Sequence, residues 1–204
     1  MIKNYNQFNE SLRDKMVPVS DDDIKKKLKD QPFYDKALLA AEYGMLDILK
    51  DALQTAEGIN RKGSLGGELP SIVDKEFIYK ILSRLTKTGN VEIMSYLLDK
   101  YDFKYYESEI FNLLSNAMDW NYNDMSTFIL EKFPTTKVTD NDNWLLRMAV
   151  YRGNLDMVKL LLKHGADIND LNKKFAHDER KPIDIARDLG FNDVVEYINK
   201  KKKN

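Results

Sequence analysis

The sequence predicts an all-α fold: a helical repeat solenoid of about five helix–turn–helix units. Three observations predict it. One pattern of apolar residues recurs along the chain, each copy turns on a Gly or an Asn, and Gly and Pro are scarce, nine and five in 204 residues. Self-similarity at a fixed period of roughly 20–50 residues is what stacked-repeat architectures leave in a sequence.

The clearest copy runs Leu146, Ala149, Gly153, Asn154, Asp156, Met157, Val158, Leu161 and Leu162, followed by Gly165, Ala166, Asp167, Ile168 and Asn169. Sliding it along the chain gives five anchors, Gly44, Gly89, Asn121, Gly153 and Gly190, separated by 45, 32, 32 and 37 residues. A short helix that reverses direction commonly ends in a left-handed residue, which Gly adopts freely and Asn adopts with little penalty. Four Gly and one Asn are what that requirement selects.

Positions four, five, eight and nine after each anchor form one apolar stripe on a second helix. They are Ile48, Leu49, Ala52, Leu53; Ile93, Met94, Leu97, Leu98; Met125, Ser126, Ile129, Leu130; Met157, Val158, Leu161, Leu162; and Val194, Val195, Ile198, Asn199. Four residues before the anchors stand Ala40, Leu85, Ala117, Ala149 and Ala186, mostly small, which lets neighbouring first helices approach. Three residues after the anchors every copy carries an acid: Asp47, Glu92, Asp124, Asp156 and Asp193. Five carboxylates in register suggest a metal or acid–base site, but each falls in the first turn of a helix. There a negative charge meets the positive end of the helix dipole, worth roughly 0.3–1 kcal/mol.

A helix–turn–helix unit of about 33 residues with a β-turn between units resembles the ankyrin repeat. The resemblance is strongest at Gly153 to Asn169, GNLDMVKLLLKHGADIN, and extends over about residues 33–199. It implies antiparallel helix pairs stacked side by side, with hairpin-like loops projecting at a right angle. The sequence departs from the family's Thr-Pro-Leu-His opening, which survives only as Pro182 and Ile183; the fourth copy has Trp144-Leu145-Leu146-Arg147 instead. The hydrogen bonds of that Thr and His must be replaced or absent.

The long first separation places extra residues around Asn60-Arg61-Lys62-Gly63-Ser64-Leu65-Gly66-Gly67, a flexible finger. The last separation lengthens the loop near Lys173, Lys174, Phe175, His177, Asp178, Glu179 and Arg180. Long loops on a repeat array often belong to its binding side. Upstream, Tyr5, Phe8 and Leu12 give one apolar edge to a helix ending near Lys15. Ser20 and Asp23 open a second helix that carries Ile24 and Leu28. Residues 1–31 are expected to be a helical cap or leader, 32–199 the repeat array, and 200–204 a basic tail. The opening NYNQFNESL also resembles the amphipathic leaders of some tailed-bacteriophage proteins packaged in the capsid.

The 32 basic and 33 acidic side chains give a net charge of −1, which argues against nucleic acid as a partner. Without cysteine there is no disulfide, thiolate ligand or cysteine nucleophile, in keeping with a reducing cytoplasm. No apolar run approaches the ~18 residues of a spanning helix, so no membrane partner is expected. The two histidines, His164 and His177, lack partners at metal-ligand spacing. Gly63-Ser64-Leu65-Gly66-Gly67 lacks the Gly-Lys-Ser/Thr ending of a phosphate loop, and there is no Gly-x-Ser-x-Gly elbow. No catalytic residue, metal or cofactor is expected.

The ankyrin resemblance implies that residues one and two before each anchor face a concave groove: Glu42 and Tyr43, Lys87 and Thr88, Asp119 and Trp120, Tyr151 and Arg152, Asp188 and Leu189. Aromatic and Arg side chains of this kind are enriched at protein interfaces. Candidate partner contacts are therefore Tyr43, Lys87, Asp119, Trp120, Tyr151 and Arg152 in the groove. Tyr105, Tyr106, Lys174, Phe175, His177 and Arg180 are the candidates in loops. The function expected is non-enzymatic binding of a protein partner by a cytoplasmic monomer through groove and loop fingers. Two alternatives stay open: a phage or effector-like protein that occludes a host enzyme, and an enzyme of unrecognised type.

Overall fold

The computed structural model describes residues 20–58, 73–102, 104–173 and 180–203. Eleven helices form among them: α1 (Asp21–Leu28), α2 (Phe33–Glu42), α3 (Leu46–Gly58), α4 (Lys75–Leu85), α5 (Val91–Lys100), α6 (Glu107–Asp119), α7 (Asn123–Lys132), α8 (Asp140–Tyr151), α9 (Leu155–Lys163), α10 (Pro182–Asp188) and α11 (Asn192–Lys201). A 3₁₀ turn, Ile168–Asn172, follows α9, and no described residue lies in a strand. The fold is an all-helical repeat of ankyrin type. Two compact units divide between Tyr105 and Tyr106. The helix near Tyr5–Leu12, the finger at 60–67 and residues 174–179 lie outside the described residues.

All five anchors join two consecutive helices and take left-handed backbone: φ is +72° at Gly44, +74° at Gly89, +59° at Asn121, +68° at Gly153 and +78° at Gly190. The turn closes the same way in four copies. The N–H after the anchor donates to the carbonyl four residues before it: Met45 to Ala40 (2.8 Å), Tyr122 to Ala117, Asn154 to Ala149 and Phe191 to Ala186 (each 2.9 Å). This is the bond pattern that satisfies the last carbonyls of a helix. At Gly89, where Leu85 replaces the small residue, the turn lengthens to Thr86–Gly89 and Gly89 N–H itself bonds Leu85 (2.9 Å).

In residues 20–105, α2 packs on α3 and on α4, and α4 on α5. Leu49, Leu53, Ile78, Ile81, Leu82, Leu85, Ile93, Met94 and Leu97 are fully buried. Each contributes roughly 1.5–3 kcal/mol of hydrophobic stabilisation before entropy is counted. Ser20 caps α1, its Oγ accepting from Asp23 N–H at 3.2 Å, and Ile24 and Leu28 turn inward. The apolar edge that the sequence assigns to this helix is thus its buried edge.

In residues 106–203, the helix pairs α6–α7, α8–α9 and α10–α11 stack so that α8 meets α10 and α9 meets both α7 and α11. A first helix thus meets a first helix, and second helices meet second helices, as stacking of repeats requires. The small residues Ala117, Ala149 and Ala186 are buried. The stripe holds with three exceptions here: Leu162 and Val195 are half-buried, and Asn199 is exposed. In residues 20–105 Ile48 is likewise half-buried. The last helix continues through Lys201, so the basic run begins inside a helix rather than after it.

Neighbouring turns also seat on one another. A Cβ on Gly153 would lie 2.6 Å from the Phe191 ring, and one on Gly44 would lie 3.1 Å from Asn90 Nδ2. Asn154 Nδ2 donates to Asn121 Oδ1 at 2.6 Å. In each pair the residue after one anchor covers the anchor of the preceding repeat.

The entry to α8 is unusual. Asn141, Asp142 and Asn143 all have φ between +53° and +56°. Asn and Asp tolerate this region best among non-Gly residues. Asn143 is buried and makes two polar contacts: its Nδ2 donates to Asp170, and its Oδ1 accepts from Asp167 N–H at 2.9 Å. These bonds join the beginning of the fourth repeat to its end. They occupy the region where the missing Thr and His hydrogen bonds were expected, and Arg147, in the His position, is buried beside them.

Candidate protein-binding surface

The last residues of the first helices in residues 106–203 set three large apolar side chains at the turns. Trp120 follows α6, Tyr151 ends α8 and Leu189 follows α10; they are 42%, 43% and 51% exposed. Their place follows from the anchor. Trp120 and Leu189 stand one residue before a left-handed anchor and Tyr151 two before it, where each first helix ends.

Charge on this surface is arranged between repeats. Arg152 Nη2 lies 2.6 Å from Asp119 Oδ1, and the Arg152 side chain is only 14% exposed. The guanidinium is thereby held in one orientation, since a fork of fixed donors loses little freedom per bond. Asp188 pairs with Arg180 at 3.9 Å, both side chains exposed. Tyr106 caps α6, its N–H donating to Glu109 Oε2 at 2.6 Å, and its ring is 71% exposed.

Residues 20–105 treat the matching positions differently. Tyr43 is half-buried under α1: Lys27 Nζ donates to its hydroxyl at 3.0 Å and lies 5.4 Å from the ring centre. The hydroxyl hydrogen bond raises the Lys27 pKa above its ordinary value. Glu42 Oε2 pairs with Arg84 Nη1 at 2.6 Å. Lys87 is exposed in the turn before Gly89. Tyr105 is half-buried, 6.3 Å from the Tyr79 ring and 5.5 Å beneath Lys75 Nζ. Lys174, Phe175 and His177 lie outside the described residues.

Two polar clusters escaped the sequence reading. In residues 20–105, Glu57 at the end of α3 accepts from the Tyr101 hydroxyl and pairs with Lys100 Nζ at 3.0 Å. Burial and the Glu57 carboxylate push the Tyr101 phenol up to about 12. Burial would raise Glu57, but hydrogen bonds from Tyr101 and Lys100 outweigh it and the net shift is downward. Burial likewise opposes the charge on Lys100, yet Glu57 and Tyr101 raise its pKa. The signal was present: 57 and 101 both close the second helix of their repeat. The other cluster surrounds Asp170, whose carboxyl a Lys173 hydrogen bond holds below its usual range against burial, with Asn143 and nearby Arg147 adding to the effect.

The five acids after the anchors sit in first turns of second helices and are exposed. His164 follows the last residue of α9, its N–H donating to Leu160 and Leu161 carbonyls at 3.1 Å. Among the described residues no three His, Asp or Glu gather to hold a metal. None of the helices described is long and apolar enough to cross a membrane.

Residues 141–173 match the family model of the ankyrin repeat. Those bounds enclose α8 from its left-handed entry, the Gly153 turn, α9 and the Asp170 cluster. The chain is 45% identical over 56 residues to Alpha-latrotoxin-Lt1a of Latrodectus tredecimguttatus, 28% of this chain and 4% of that protein. It is 41% identical over 61 residues to Alpha-latrotoxin-Lg1a of Latrodectus geometricus, 30% of this chain and 4% of that protein. The chain thus spans about 4% of the length of the curated relatives it matches. With its five left-handed turns between paired helices, this chain carries an ankyrin repeat at residues 141–173 within an all-helical array of ankyrin type.

Proposed function

We propose that the chain is a non-enzymatic interaction module that holds a partner protein on the turn-facing ends of its first helices. Trp120, Tyr151 and Leu189 are the anchors and Arg152 the positioned cation. An ankyrin repeat supports a protein-interaction role in general. The observation that carries the finer reading is the exposure of three large apolar side chains, one at the turn-facing end of the first helix in each of three consecutive repeats. Large aromatic side chains supply contact area with few rotamers to freeze, and truncating such an anchor often costs ~2 kcal/mol or more of binding. Because Asp119 already neutralises Arg152, the surface offers apolar area with its charge fixed in place, and specificity then comes from where the guanidinium points.

The test is affinity capture from the native cell extract with Trp120→Ala, Tyr151→Ala and Leu189→Ala combined. Loss of the captured proteins, with the melting temperature retained, is the expected result. An unchanged capture profile would sink the assignment.

A further inference from the structure

Within residues 106–203 a recess of about 460 Å³ opens between α9, α11 and the turn that leaves α9. Its size falls within the range of ligand pockets, roughly 300–1,000 Å³. Leu162, Ile168 and Tyr197 form its apolar part, and Lys159, Lys163 and Lys201 stand around it. One acid, Asp167, also lines it, but its Oδ1 already accepts the Asn169 N–H at 2.9 Å. Lys159 lies 3.9 Å from Asp156, an exposed pair of little strength, and 5.8 Å from the Tyr197 ring centre. Among the described residues Lys163 and Lys201 make no ion pair. Beside Lys201, burial and the repulsion of Lys181 depress the Lys202 pKa, another sign that cations crowd this end of the unit.

Helix chemistry accounts for part of this charge. Lys163 ends α9 and Lys201 ends α11, where cations favour the dipole. It does not account for three lysines lining one recess together with an aromatic ring and two aliphatic side chains. That combination complements a carboxylate-rich segment with one large apolar side chain. A phosphate backbone fits less well, because it brings negative charge but no side chain of its own for the apolar part of the recess.

We propose that this recess is a second binding site, for an acidic peptide segment bearing an aromatic or aliphatic side chain. The carboxylates meet Lys159, Lys163 and Lys201, and the apolar side chain rests on Tyr197, Leu162 and Ile168. The site is built from second helices, whereas Trp120, Tyr151 and Leu189 stand at the ends of first helices, so the two can fail separately.

Fluorescence anisotropy with the full chain and a short labelled peptide of glutamates around one Trp tests the proposal. Lys159→Glu, Lys163→Glu and Lys201→Glu combined should weaken binding at least tenfold, and replacing the peptide's Trp by Ala several-fold. Affinity should fall as salt rises from about 50 to about 500 mM, because exposed charges are screened within a few ångströms at the higher value. Trp120→Ala should leave it unchanged. Circular dichroism checks that the triple variant is folded; if it is not, Lys163→Gln with Lys201→Gln gives the same comparison with less perturbation. Three results would overturn the site: no saturable binding, an equal loss from Lys25→Glu with Lys26→Glu elsewhere on the chain, or equally tight binding of an oligonucleotide of matching charge.

Discussion

Tyr106, Trp120, Trp144, Tyr151 and Leu189 are the large apolar side chains that the described residues leave exposed, and all five belong to residues 106–203. Residues 20–105 use their aromatics internally. Tyr34 stacks on Phe77 at 4.5 Å, Tyr43 lies under Lys27, Tyr96 under Lys50, Tyr101 bonds Glu57, and Tyr105 packs near Tyr79 and Lys75. Both halves are built from the same repeat. The difference shows that repeat geometry fixes where a side chain stands, while its neighbours decide whether that position is structural support or open surface.

The largest effect expected on this comparison comes from the turns. Gly153→Val places a β-branched side chain in left-handed backbone and drives it into the Phe191 ring. It should destabilise residues 106–203 by about 3 kcal/mol or more, read from denaturant unfolding. Gly44→Val meets only the end of the Asn90 side chain and should cost less in residues 20–105, about 2 kcal/mol. Equal stability of Gly153→Val and wild type would break the register.

Next comes the polar closure of the fourth repeat. Asn143→Ala removes both contacts to the end of the repeat and puts Ala in left-handed backbone. It should cost about 2 kcal/mol in the same unfolding experiment. Residues 20–105 offer a contrasting, pH-dependent device. The Tyr101 phenol is raised in the folded chain, so its contribution is complete below pH 10.0 and is lost as pH rises toward about 12. Stability should fall across that alkaline window, and Glu57→Gln should lower the phenol's midpoint in a spectrophotometric titration. The smallest effect is on stability of the exposed surface: Trp120→Ala or Tyr151→Ala should move it by no more than about 1 kcal/mol. A much larger loss would place those rings among the supports, and the contrast between the halves would disappear.

The five turns were legible because the demand on them is local: a helix that reverses needs φ > 0, and few residues supply it. The apolar stripes were legible for the same reason, periodicity being a property of one helix. What sequence spacing could not rank was competition among exposed side chains. The ankyrin register marks both Asp119 and Arg152 as partner contacts, yet one repeat of separation also puts them within reach of each other. The same register makes Tyr43 a groove aromatic, because nothing local says that Lys27 lies across it. Nothing local in the sequence marks Asn143 as buried. Its polar partners are Asp167 and Asp170, more than twenty residues onward and beyond both α8 and α9.

The seating of one turn on the next gives each junction its own fit. Gly44 receives Asn90, Asn121 receives Asn154 and Gly153 receives Phe191. A repeat transplanted to another place would meet a mismatched neighbour, a ring against a side chain or a hollow against an amide. Shuffling the repeats of this protein should therefore fail even where every helix is kept intact, because their sequential order is itself written into the packing.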